Sequence, residues 1–253
     1  MVQVRALRVV TGGLPRAGTG YEVGYVGKVG GEHRVALNDA SLVRFEDCRP
    51  VRSFPSWKGQ RNYPGLWWSA TTGRHVGYES WLERDHAMLL DFDREVTGFA
   101  SQPMWLFWMS GGRRRSHAPD WFARRSDGTG LVVDCRPLDR VKPRDAETFA
   151  ATERACREIG WEFRLVGAPD AVQLANVRWL AGYRHPRHRV AAVVDQLLDV
   201  FARETPMRVG AERVGDPIAV LPVLFHLLWS GRLVTDLSVV LGECALIRRA
   251  EAA

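Results

Sequence analysis

Three acidic residues stand where the chain could use them together. Glu83 lies on a helical stretch, Tyr78 to Phe92, and borders its apolar stripe of Leu82, His86, Leu89 and Leu90. An unpaired carboxylate in that position is costly, so a cation or a basic partner would explain it. Asp120 opens one strand-like stretch, and Asp134 sits near the end of the next. The Ser126–Gly130 segment between them is a hairpin turn signal. A two- or three-residue turn there sets Asp120 opposite Asp134 or its neighbour. Side chains alternate along a strand, so Asp134 and Arg136 share one face, and Leu131, Val133 and Cys135 the other. Three hard carboxylates suit Mg²⁺ or Mn²⁺ rather than a zinc ion held by His and Cys. Such a site activates water and offsets charge on a phosphate during hydrolysis. Each residue also has an ordinary reading. Glu79 and Glu83 alone are solvated helix charges, and an Asp-x-Arg triplet alone is a surface pair.

Basic residues surround this constellation. Arg113, Arg114 and Arg115 fall in a turn-like stretch, residues 110–117, where a charge run is ordinarily just solvated. Beside Asp120 they would instead hold phosphates, with Lys58, Arg61 and Arg74 extending the surface. His117 is either a turn residue or a partner of the site. Gln102, before Pro103, reads as a buried polar residue that needs partners. His86 and the tryptophans read as core, and Cys135 as an inert buried thiol.

The elements that must position these groups fall into three blocks. Residues 1–56 hold short alternating stretches between glycines (Val2 to Val10, Tyr21 to Val29, Arg34 to Leu37, Leu42 to Phe45) and suggest a small β segment. Residues 57–186 run helix, three strands, helix, strand, an α/β pattern. Its second helix, Asp145 to Ile159, stops at Gly160, and a strand follows from Trp161 to Val166. Residues 187–253 carry helices at Val190 to Arg203 and at Pro217 to Trp229. Two strands follow, Arg232 to Val240 and Cys244 to Arg248, as in a winged-helix-like domain. Pro217 to Trp229 has almost no Arg, Asn or Gln, so packing or protein docking suits it better than base reading.

Composition narrows the classes. Of 253 residues, 35 are basic and 29 acidic, and only three of the basic ones are lysine, which favours a polyanionic partner. No run of about 20 apolar residues exists, so no spanning helix is expected. The opening residues lack the pattern of a signal peptide. The four cysteines are widely spaced, as in a reduced, cytoplasmic protein.

The ordered string is more specific than its parts. Glu83 on a helix, Pro119-Asp120 before a strand, and Asp134-Cys135-Arg136 resemble the PD-(D/E)XK nuclease pattern. With Thr72-Gly73-Arg74, Glu79 to Glu83, Leu90 to Asp93, Gln102-Pro103, His117 to Asp120, Arg136-Pro137 and Asn176 to Leu180, the chain resembles the TnsA-type endonuclease subunits of heteromeric transposases, over roughly residues 57–183. The resemblance implies a restriction-endonuclease-like mixed sheet flanked by helices. It implies Mg²⁺-dependent cleavage at transposon 5′ ends, beside a DDE-type transposase subunit and an AAA-type ATPase regulator. The setting would be a bacterial cytoplasm, at the nucleoid. By position, Glu83, Asp120, Asp134 and the Cys135 carbonyl would hold the metal. Arg136 stands where the family has lysine. It keeps the charge but cannot act as a base; Lys142 could supply an ammonium. Two alternatives accompany this reading: an inactive DNA-binding or assembly subunit of the same fold, and a stand-alone restriction or repair nuclease.

Overall fold

A computed structural model describes residues 20–53, 59–60 and 62–251. The expected strand at Val2 to Val10, and the candidates Lys58 and Arg61, lie outside the described residues. The chain divides into two units, one of residues up to Leu90 with Glu95–Ala168, the other of Asp91–Arg94 with residues from Pro169 onward.

The first unit opens with β1 (Tyr21–Val26), β2 (Glu32–Ala36) and a single helical turn, α1 (Leu37–Ala40). The hairpin β3 (Gly65–Trp68) and β4 (His75–Tyr78) precedes α2 (Trp81–Phe92). Five strands follow: β5 (Val96–Ser101), β6 (Met104–Ser110), β7 (Arg113–His117), β8 (Trp121–Arg125) and β9 (Gly130–Cys135). Then come α3 (Pro143–Glu158) and β10 (Glu162–Val166). One sheet runs β2-β1-β6-β7 and a second runs β10-β9-β8-β5. In the second, β9 and β10 are parallel, joined through α3, and the other pairs are antiparallel.

Strand alternation splits the second sheet into two cores. Phe122 and Val132 point to one face and pack with Ala151, Ala155 and Cys156 of α3 and with Val23, Leu106 and Trp108 of the first sheet. Trp121, Ala123, Leu131 and Val133 point to the other, against Ala87 and Leu90 of α2. Cys135 packs on this second face, as the alternation predicts. The β8–β9 register sums to 254 (Trp121↔Val133, Phe122↔Val132), as the short turn predicts.

The sequence reading departs from the structure in three places here. The amino-terminal block is not a separate segment, because β1 pairs with both β2 and β6. Leu42 to Phe45 is no strand: a loop leads into a 3₁₀ turn at Phe45–Asp47. Its polar groups are met by Arg124, which donates to the Val43 carbonyl at 2.9 Å and to Glu46 at 3.3 Å. The arginine run is not a turn. Gly111 and Gly112, at φ 56° and 71°, make the turn, and Arg113–His117 is a strand on β6.

The second unit contains α4 (Ala171–Ala181), α5 (Ala191–Val200), β11 (Thr205–Pro206), α6 (Met207–Val214), α7 (Pro217–Trp229), β12 (Leu233–Val234) and β13 (Leu246–Arg249). The three short strands form one sheet, β11-β13-β12. Sequence reading missed α6. It also drew the strand after α7 too long, since β12 covers only Leu233–Val234. The side chain of Asn176 explains the difference. It donates to the carbonyls of Leu237 (3.0 Å) and Val239 (2.7 Å) and accepts from the Leu241 amide (2.9 Å). Those backbone groups are thereby satisfied without a strand. Val220, Val223, Leu224, Phe225, Leu227 and Leu228 of α7 are buried, in keeping with a packing helix.

Candidate active site

The site is built on the mouth of the β8–β9 hairpin. Asp120 stands just before β8, and Asp134 is the penultimate residue of β9. The Asp120 amide donates to Asp134 Oδ1 at 3.3 Å, and Asp120 Oδ2 accepts from the Cys135 amide at 2.8 Å. Asp134, only 2 % exposed, takes its second bond at Oδ2 from His117 Nε2, 2.8 Å away. His117 is therefore a partner of the site carried by β7, and its ring meets Phe149 of α3 edge-on.

Glu83, 7 % exposed, reaches the region from α2. Its local role is a cap that sequence reading overlooked. Ser80 precedes the helix, and its Oγ accepts from the Glu83 amide at 3.2 Å. Glu83 Oε1 accepts from Ser80 Oγ and Oε2 from the Glu79 amide, both at 2.8 Å. This is a variant of the Ser-x-x-Glu capping box, visible in the string Ser80-Trp81-Leu82-Glu83.

The electrostatics single out Asp120. Burial pushes its proton affinity well above the usual carboxylate range, and the charges of Asp134 and then Glu83 push it further. The Cys135 amide and Arg136 act in the opposite direction. Glu83 is also raised, first by burial. Arg136 thus comes within electrostatic range of Asp120 from its exposed place after β9. Burial, followed by the three nearby carboxylates, holds the Cys135 thiol protonated, which supports reading it as inert.

The acids gather, but not on a common face. Glu83 approaches with Ala87 and Leu90 from the α2 side, whereas Asp134 points to the α3 side, where its charge also raises the Cys156 thiol. The charges of both act on Asp120. Among the described residues, no group of three or more His, Cys, Asp or Glu side chains is arranged to hold a metal ion. The donor chemistry fits a hard divalent cation held at Asp120, with Glu83 or Asp134 beside it. It does not fit a cage of all three as they stand, because both oxygens of Glu83 and both of Asp134 already accept hydrogen bonds.

Gln102 adds a second sign of function. It is fully buried, sits at φ 43°, and neither atom of its carboxamide has a hydrogen-bond partner. Its backbone is engaged, the amide donating to the Asp120 carbonyl at 2.9 Å and the carbonyl accepting from Val51 at 2.8 Å. Backbone conformations of this kind concentrate at functional sites, where the surrounding fold holds them.

The remaining candidates disperse. Arg74 is tied to Asp47 (3.6 Å) and to the Glu46 carbonyl, so it braces the β3–β4 hairpin rather than extending a phosphate surface. Arg114 lies over the Phe107 ring, 5.0 Å from its centroid, on the face of β7 opposite His117. Arg113 and Arg115 share the His117 face. Lys142 is exposed at the start of α3 and makes no ion pair among the described residues. Compared with protein-family models and with curated proteins, the chain matches none.

Proposed function

We propose that the chain is a metal-dependent DNA endonuclease, the strand-cleaving subunit of a heteromeric transposase. One observation carries the reading: at the mouth of a β-hairpin the Asp120 amide donates to Asp134 Oδ1 at 3.3 Å, with Glu83 and Arg136 near enough for their charges to act on Asp120. The element order supports it. The order α2-β5-β6-β7-β8-β9-α3-β10, with β5 antiparallel and β10 parallel to their neighbours in one mixed sheet, is compatible with a restriction-endonuclease-like core. The α5-β11-α6-α7-β12-β13 order of the second unit likewise supports a winged-helix-like domain. Among the described residues, no helix is long and apolar enough to cross a membrane.

In this reading Asp120, with Glu83 or Asp134 beside it and the Cys135 carbonyl, would hold Mg²⁺ or Mn²⁺. The ion would supply a lowered pKa for the attacking water and charge for the phosphate. The protein's own groups do the rest. Arg136 offsets negative charge on the phosphate as it becomes pentacovalent. His117 holds Asp134 in place. The engaged oxygens of Glu83 and Asp134 favour one second reading, an assembly subunit that keeps the fold without turnover. A nicking assay with Mg²⁺ or Mn²⁺ and the partner transposase separates the two. Asp120→Ala should abolish nicking and keep DNA binding; unchanged nicking in that variant removes the endonuclease reading.

A further inference from the structure

Beside the carboxylates, β7 and α3 border a groove of about 320 Å³. Arg115, Arg144 and Arg154 line it, together with the hydroxyl residues Ser110 and Thr148. All three arginines are exposed, and among the described residues none has an ion pair. Glu147 is the single acidic lining residue. Arg144 and Arg154 are ten residues apart on one helix, about 15 Å along its axis. On β7, Arg115 shares a face with His117, which bonds Asp134. The groove therefore begins two residues from the site and runs away from it.

The geometry points to a track for the DNA sugar–phosphate backbone flanking the scissile bond. This inference rests on the nuclease reading and adds Arg144 and Arg154 to the binding surface, while leaving Arg114 out of it. The chemistry selects a phosphate backbone over an acidic protein segment. A protein interface is centred on exposed aromatic anchors, and here the one aromatic in the lining, Trp108, is 9 % exposed. Guanidinium and hydroxyl donors without an apolar anchor are the usual contacts to phosphate oxygens, and such contacts do not read sequence.

The test is salt-dependent binding of a fluorescent duplex of arbitrary sequence to the full chain. The triple variant Arg115→Gln, Arg144→Gln, Arg154→Gln is compared with Arg157→Gln, an exposed arginine of α3 paired to Glu153. Thermal unfolding confirms that each variant is folded. The triple variant should show a shallower dependence of log affinity on log salt, by about 0.9 for each phosphate contact removed. Arg157→Gln should match the parent. An unchanged slope in the triple variant, as an acidic protein partner would leave it, overturns the track. So does an equal loss per charge in Arg157→Gln. If the parent never nicks DNA but the triple variant loses slope, the track stands without the nuclease. If the parent nicks and the slope is unmoved, only the track falls.

Discussion

Asp120 and Asp134 meet across the open end of the β8–β9 hairpin, and the amide of the first donates to the carboxylate of the second at 3.3 Å. Burial raises the proton affinity of Asp120 most, and the charge of Asp134, held close by the backbone register, adds to it. The pair is a place where the fold gives up stability to hold a reactive arrangement.

That relationship fixes a pH dependence. The folded proton affinity of Asp120 is raised, so over that range the folded state binds more protons than the unfolded state. Its contribution favours folding below the usual aspartate pKa and is lost as pH rises through the higher folded value. Without divalent cation, Asp120→Asn should therefore be more stable than the parent at neutral pH, by about 1–3 kcal/mol. The gain should shrink in acid. Thermal unfolding across pH checks this; a variant no more stable than the parent at pH 7 contradicts it.

Glu83 serves two purposes that mutation can separate. Ser80→Ala removes the cap hydroxyl and should cost about 1 kcal/mol of stability. Glu83→Gln keeps an acceptor for the Glu79 amide, so stability should hold while nicking collapses. Denaturant unfolding and nicking are measured on the same preparations. Full nicking by Glu83→Gln would leave the residue only its cap.

His117 steadies Asp134 through one 2.8 Å hydrogen bond. His117→Ala should lower nicking about 10- to 100-fold, the usual effect of removing a group that orients a ligand. Raising Mn²⁺ should recover part of the loss if positioning is the cause. A loss that ignores metal concentration would argue against that role.

Arg136 carries the charge where the resemblance calls for lysine. Arg136→Ala should lower turnover about 10²- to 10³-fold, as loss of a transition-state charge partner does. Arg136→Lys should restore most of it, because the task is charge and not proton transfer. Single-turnover nicking rates decide, and an active alanine variant would release Arg136 from the mechanism.

Much of this was legible in local pattern. Period-two alternation and a Ser-Asp-Gly-Thr-Gly turn are enough to place Asp120 opposite Asp134 or its neighbour and Cys135 on the back, because hairpin register follows from turn length. Helical periodicity with Gly160 located the end of α3. The capping role of Glu83 is also written in Ser80-Trp81-Leu82-Glu83, a Ser-x-x-Glu string, beside its readings as a metal ligand or a solvated helix charge.

Other features depended on partners distant in sequence. The arginine run is polar throughout, and only pairing with β6 makes it a strand. The loop before β13 is shaped by Asn176, more than sixty residues earlier. The bond from His117 to Asp134 joins two strands of different sheets. The sequence by itself determined which residues carry charge and which face of a strand or helix each occupies, since those follow from short-range geometry. Only the tertiary structure decided that a carboxylate on α2 and one on β9 both act on Asp120, because the layering of helices on that sheet is settled by burial of apolar surface across the whole unit.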